Sequence, residues 1–369
     1  MIFRKLPVVW IIILAAFAVF VMTMMAALPG ADNASAERSA DPANTSPELA
    51  HLPIVQNIPL PPPPPTPTSS PYSAAATLYI TPNTDLLAST FNTASFVVNN
   101  DSLNGQRLAE LRIDLRTRLF PDMVFDPYGK AGDTVAKDVV VDVREGLSFD
   151  GHFYETPHDG GFDQLILKFR NFDRGDRFAF SVDVDPTSIT GVAAPGPHLT
   201  GSVGGLELVG ATITATFDDG TVLVNQTWRM DGSSDPNHSG AIAVLRPGLP
   251  ERPVLEVVGG SSPAMVGSPD QVIRISGPVG RPVVLLVVEG GLFTAGVPGG
   301  GVDLDPFEAN TALGAREFTG VIGLAGILDI PVNLRKSMPE GGINYITAAF
   351  DNHYGVKGMV ATPLALQLP

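Results

Sequence analysis

The residues most able to do chemistry are acidic and come in short-spaced groups. Asp183, Asp185 and Thr187 lie two apart, so in a strand they share one face. Asp126 and Asp133 flank a glycine-containing loop, while Asp303, Asp305 and Glu308 follow Gly299-Gly300-Gly301. Calcium takes about six to eight oxygens, commonly from acidic loops and main-chain carbonyls. The segments around Asp183 and Asp185, and around Asp303 and Asp305, supply part of such a shell, so these four are candidate calcium ligands. No EF-hand spacing is present. The competing reading is turn chemistry, since Asp before Pro, Gly or Ser commonly builds turns. Taken singly, each cluster reads as a turn first.

Other chemistries are less well provided for. His152, His158, His198 and His238 fall between residues 150 and 240, but no His-x-His or His-Glu-x-x-His supplies a local metal pair. Their settings, such as Pro157-His158-Asp159-Gly160, read as solvated loops. There is no Gly-x-Ser-x-Gly elbow, and the glycines at 290–291 and 299–301 are not followed by a phosphate-loop lysine and helix. Acidic pairs such as Asp142 with Glu145, or Asp218 with Asp219, arise by chance in a chain with 38 acids. No catalytic residue and no resident cofactor is assigned, calcium apart. For sugars the candidates are aromatic: Trp228, with Tyr128, Tyr154, Tyr345 and Tyr354 beside it. Trp228 is the candidate ligand residue, although large aromatics more often anchor cores.

Composition narrows the class. The 369 residues exceed what one core usually holds. They carry 23 Lys+Arg against 38 Asp+Glu, a net charge of −15, which disfavours a phosphate backbone as partner. The absence of cysteine excludes disulfides, thiolate metal sites and cysteine nucleophiles. Thirty-eight glycines and 34 prolines suit short strands joined by turns.

The N-terminus reads as an address. Residues 1–5 include Arg4 and Lys5, and 6–28 is uncharged and almost wholly apolar. A helix of that length covers about 34 Å, enough for a bilayer core of roughly 30 Å. The preceding positive charges place the N-terminus in the cytoplasm and the rest outside. The expectation is a single-pass cell-membrane protein anchored by this helix. The alternative is a secretory signal cleaved near Ala36, because Ala34-Ser35-Ala36 has the small-x-small pattern. Residues 29–73 are a proline-rich linker. Pro61 to Pro65 lie in its second half and favour an extended polyproline II rod.

Two β-rich modules follow, at 74–250 and 251–369, joined through Arg246-Pro247-Gly248-Leu249-Pro250-Glu251-Arg252-Pro253. In the first, Ile213, Ala215 and Phe217 alternate with Thr212, Thr214 and Thr216, the mark of a half-buried strand. Asp218-Asp219-Gly220 then predicts a hairpin to residues 221–228. Residues 108–119 could be helical, but Leu111, Ile113 and Leu115 alternate with charged residues and favour a strand. In the second module, 282–288 is nearly all apolar and predicts a strand buried on both faces. The expected fold is all-β, with two antiparallel sandwiches of immunoglobulin-like or carbohydrate-module-like form.

Three stretches carry a resemblance: Leu119-Phe-Pro-Asp-Met-Val-Phe-Asp-Pro-Tyr-Gly-Lys-Ala-Gly-Asp133, His158-Asp-Gly-Gly-Phe-Asp163 with Phe178-Ala-Phe-Ser-Val-Asp-Val-Asp-Pro-Thr-Ser188, and Gly299-Gly-Gly-Val-Asp-Leu-Asp-Pro-Phe-Glu308. They resemble β-sandwich modules of large secreted bacterial surface proteins that also carry malectin-like or PKD-type domains. The resemblance implies a surface-exposed, non-catalytic module. The expected function is that of an exported structural or interaction protein, with another surface protein or an extracellular glycan as partner. The alternative is a calcium-assisted carbohydrate-binding module; a glycoside hydrolase or lyase is the weaker third reading.

Overall fold

The computed structural model describes residues 73–82, 88–187, 190, 203–230, 239–260, 264–290, 312–335, 342–352 and 356–368. The apolar segment at 6–28, the linker up to residue 72, and Asp303 and Asp305 lie outside them. Among the described residues no helix is long and apolar enough to cross a membrane. They form an all-β fold whose twenty-two strands lie in four sheets. All strand pairs are antiparallel except that of Ala264–Met265 with Leu364–Leu368.

The first two sheets face each other across one apolar layer. One runs in the order Trp228–Arg229, Ala241–Leu245, Ala76–Ile80, Phe96–Asn100, Arg177–Ser181, Val140–Glu145. The other runs Val222–Gln226, Thr212–Phe217, Leu108–Asp114, Gly161–Phe172, Met123–Phe125, Val184–Pro186, with Ser148–His158 along the opposite edge of Gly161–Phe172. Leu78, Ile80, Phe96 and Phe180 from the first sheet share a core with Leu111, Ile113, Leu165, Leu167 and Ile213 from the second. The Phe96 and Phe180 rings stack at 4.7 Å, a separation at which aromatic pairs add to simple burial.

Local signals explain the strand ends. Ile213, Ala215 and Phe217 are buried and the intervening threonines half-buried, and the hairpin at Asp218–Gly220 forms with Gly220 at φ +85. Strand character over residues 108–119 stops earlier than the alternation suggests. The strand ends at Asp114, whose carboxylate accepts the Arg116 N–H at 3.1 Å and turns Leu115–Thr117 into a 3-10 turn. At the tip of the longest hairpin, Asp159 and Gly160 both have positive φ, the geometry a two-residue turn needs between twisted strands. Its first arm, Ser148–His158, was not visible as a strand in the sequence.

The third sheet is three-stranded: Val254–Val257, Asp270–Ser276 and Ile327–Asn333. The fourth has six strands, in the order Ala264–Met265, Leu364–Leu368, Gly342–Asp351, Pro282–Gly290, Ala312–Val321, with Lys357–Val360 also on Gly342–Asp351. Within Pro282–Gly290, alternate residues enter different cores. Val283, Leu285 and Val287 pack with Ile273, Ile275 and Phe350, whereas Val284, Leu286 and Val288 join the core of the first two sheets. Both faces are therefore dry, as its continuous apolar sequence predicts. Side-chain amides at the margin of this junction hold main-chain groups. Gln226 Oε1 accepts the Val360 N–H at 2.8 Å and its amide donates to Gly210 O at 2.7 Å, while Asn225 donates to Val244 O and Lys357 O. Phe120 and Tyr345 close it with ring centroids 4.3 Å apart. The described residues accordingly make one compact unit.

Leu286→Ala leaves a cavity on the face shared with the first two sheets and is expected to cost about 2–5 kcal/mol. Calorimetry of the full chain should show a single transition moving to lower temperature. Two transitions, with only one displaced, would contradict a shared core.

Candidate functional site

The acidic residues singled out at 126, 133, 183 and 185 come together in space. Met123–Phe125 pairs with Val184–Pro186 in the register Val124 to Asp185 and Phe125 to Val184. One residue further on, the Asp126 N–H donates to Asp183 O at 3.0 Å. This pairing lays the 126–133 loop against Asp183 and Asp185. Val184, between them, turns the other way into the core, as strand alternation requires.

Asp126 organises the loop. Its buried carboxylate accepts four main-chain N–H groups, from Tyr128, Lys130, Ala131 and Gly132, at 3.3, 2.9, 2.7 and 3.1 Å. With four donors on one carboxyl group, a single side chain fixes the backbone path. Gly132 passes so close to Asp185 that an added Cβ would sit 2.1 Å from the Asp185 Cβ. Asp133 then donates its N–H to Asp185 Oδ2 at 3.2 Å and accepts the Val135 N–H at 2.6 Å. Asp183 donates its own N–H to Lys137 O at 3.0 Å.

The four side chains are 0% (Asp126), 9% (Asp133), 4% (Asp183) and 1% (Asp185) exposed. Asp183 Oδ2 is buried with no hydrogen-bond partner. Burial pushes the Asp183 carboxyl up to about 8, and the fields of Asp133 and Asp126 add to it, against Lys137 and the Val184 N–H. Burial likewise pushes Asp185 up to about 9, helped by Asp183, Asp133 and Asp126. Asp133 is raised too, first by burial and then by Asp126, against the Val135 N–H. Near neutral pH the Asp183–Asp185 pair therefore holds protons that an exposed pair would release. Among the described residues, no three His, Cys, Asp or Glu side chains are arranged to hold one metal ion.

The other candidates fall elsewhere. Trp228 is 2% exposed in the core, with its indole N–H lacking a protein partner. This corrects the expectation of a binding platform: both ring faces are covered, so no sugar can stack on them. The exposed aromatic beside the acidic cluster is Tyr128, at 58%, which the Asp126 loop carries. Tyr345 is buried against Phe120, and Tyr154 donates to Asp138 at 2.9 Å. His152 also meets Asp138, at 2.8 Å, whereas His158 meets Asp163 at 3.0 Å. The two histidines thus serve separate carboxylates; His198, His238 and Tyr354 lie outside the described residues. Asp142, Asp218 and Asp219 accept main-chain N–H groups from Ala94, Arg107 and Thr221, which is turn and edge chemistry. Arg174-Gly175-Asp176 likewise forms a turn, closed by the Asp176 N–H to Asp173 O.

Stability should follow the protons on Asp183 and Asp185. An unfolded Asp titrates near 4, while the folded pair retains its protons to about 8 and about 9. The folded state thus binds more protons across that interval, and its stability is greatest below pH ~4 and falls as pH rises. Denaturant midpoints measured in EDTA should decline between pH 5 and pH 9. Asp183→Asn with Asp185→Asn should flatten that decline; an unchanged slope would contradict the assignment.

No protein family matches the chain, and no curated protein matches it. Among solved structures, red sea bream transglutaminase aligns with 76% of this chain at 11% identity and a TM-score of 0.19. The chain spans 30% of that enzyme's length, and a likeness this distant carries no argument about fold or activity.

Proposed function

We propose that this chain is a non-catalytic, exported, membrane-anchored surface protein acting as a structural or interaction module. The observation that carries the reading is the strand Pro282–Gly290, dry on both faces. It joins the sheets into one body, and a body without a hinge at that junction holds its loops at fixed separations. Fixed spacing suits display and docking better than a cycle of opening and closing. The residues 6–28, with Arg4 and Lys5 before them, would provide the anchor, and the prolines at 59–67 the reach. The sandwiches are of the immunoglobulin-like or carbohydrate-module-like kind under this reading.

A specific observation favours a second reading, that of a calcium-assisted extracellular carbohydrate-binding module. Exposed Tyr128 sits on the loop held by Asp126, beside the buried carboxylates. Planar rings on well-held loops suit the apolar faces of sugars.

Protease added to intact bacteria expressing the full chain tests the placement. Digestion of the β-body, with residues 1–28 retained in the membrane fraction, is the expected result. A protected β-body, or a mature chain beginning at Glu37 in the medium, would overturn the anchored reading. A polysaccharide panel probed with the full chain, in calcium and then in EDTA, separates the two functions. Saturable glycan binding lost in Tyr128→Ala would establish the second reading, and no binding by the folded chain would leave a protein partner.

A further inference from the structure

The sheet built on Pro282–Gly290 gathers a separate group of charges. Glu289 lies opposite Gly314 on one side and Asn344 on the other, which sets it diagonal to Arg316 on the neighbouring strand. Arg335 follows the strand Ile327–Asn333, and buried Asn344 holds its main chain. Asn344 Oδ1 accepts the Arg335 N–H at 3.1 Å, and the Asn344 amide donates to Arg335 O at 2.9 Å. Both guanidinium groups thereby reach one oxygen, Glu289 Oε1, at 3.5 Å from Arg316 Nε and 3.4 Å from Arg335 Nε.

The charges do not balance. Two guanidinium groups share one carboxylate, and neither has a second acidic partner among the described residues. One positive charge is left over, in a chain whose net charge is −15. Hydrogen bonding leaves a matching remainder. Arg316 Nε and Nη2 are buried without an acceptor, and the 3.5 Å contact with Glu289 is too long to supply one. Burial lowers the Arg316 guanidinium from its ordinary value, and the Arg335 charge lowers it further, against Glu289. The Phe318 ring, 6.0 Å from the guanidinium, offers only a weak contact. Buried donors without acceptors are costly. The Arg335 side chain is exposed, so the group can be reached from water.

We propose that Arg316 and Arg335, beside Glu289, form a binding site for one carboxylate group. A guanidinium fork matches a carboxylate in shape as well as charge. One carboxylate neutralises the remainder, whereas a phosphate group, at about −1.5 to −2, overshoots it next to Glu289. That chemistry has two sources. One is an acidic partner. The other is the chain itself: residues 291–311, outside the described residues, connect the strands that carry Glu289 and Arg316, and they hold Asp303, Asp305 and Glu308 with no Lys or Arg. The inference rests on neither the anchor nor the Tyr128 loop.

Unfolding temperatures of the full chain in detergent micelles at pH 7, in sodium acetate against sodium chloride of equal ionic strength, test this. Wild type is compared with Asp303→Asn, Asp305→Asn, Glu308→Gln combined, and both again with Arg335→Gln. If the chain supplies the group, the triple substitution lowers the unfolding temperature, acetate restores it, and Arg335→Gln removes both effects. If a partner supplies it, acetate stabilises the wild type through Arg335 and the triple substitution changes nothing. Either result supports the site. It is overturned if neither acetate nor the triple substitution moves the unfolding temperature, if the shifts persist undiminished in Arg335→Gln, or if phosphate stabilises more than acetate. Should Arg335→Gln fail to fold, Arg335→Lys serves, since it keeps the charge and removes the fork.

Discussion

The constraint on which the molecule depends is that Pro282–Gly290 has no wet face. A strand in an ordinary sandwich offers one side to a core and the other to water. Here Val283, Leu285 and Val287 face one core, while Val284, Leu286 and Val288 face another. Neither core can be completed without this strand. Register follows from the same fact: a shift by one residue would exchange the two sets of side chains between the cores. Gln226 and Asn225 fit this arrangement, since their amides satisfy main-chain groups at the margin where water is excluded.

The acidic cluster shows the opposite economy of groups. The fold around it is held by short-range bonds from one carboxylate, Asp126, while Asp183 and Asp185 are buried for reasons that packing does not explain. A chain could have placed Ser or Asn at either position with less electrostatic tension. Keeping both carboxyls in a dry place beside two more, on a loop that also presents Tyr128, links a costly interior feature to an exposed one. This is the pattern expected where a surface loop must be held in one shape.

Several of these features were legible in the sequence, each for a physical reason. The alternation of Ile213, Ala215 and Phe217 with threonines reflects a sheet wet on one face, and the unbroken run at 282–288 reflects one dry on both. The pairs Asp126 with Asp133 and Asp183 with Asp185 could each be seen, but their meeting could not. It depends on two three-residue strands, Met123–Phe125 and Val184–Pro186, too short to reveal a period. Ser148–His158 escaped notice because Gly151, Thr156 and Pro157 interrupt its pattern, although Asp159-Gly160 carried the hairpin signal. Trp228 was ambiguous by type, since a large ring suits a platform and a core alike, and only its burial in the core decides between them.

Native-state hydrogen exchange of the full chain tests the central claim, a single body, most directly. Amides of Leu285 to Val287 and those of Leu165 to Leu167 lie in different sheets but depend on the same shared layer. The account predicts that both sets exchange only through one global opening, with equal free energies and equal dependence on denaturant. Exchange of residues 254–368 through a separate opening of lower free energy, with 73–245 still protected, would contradict it.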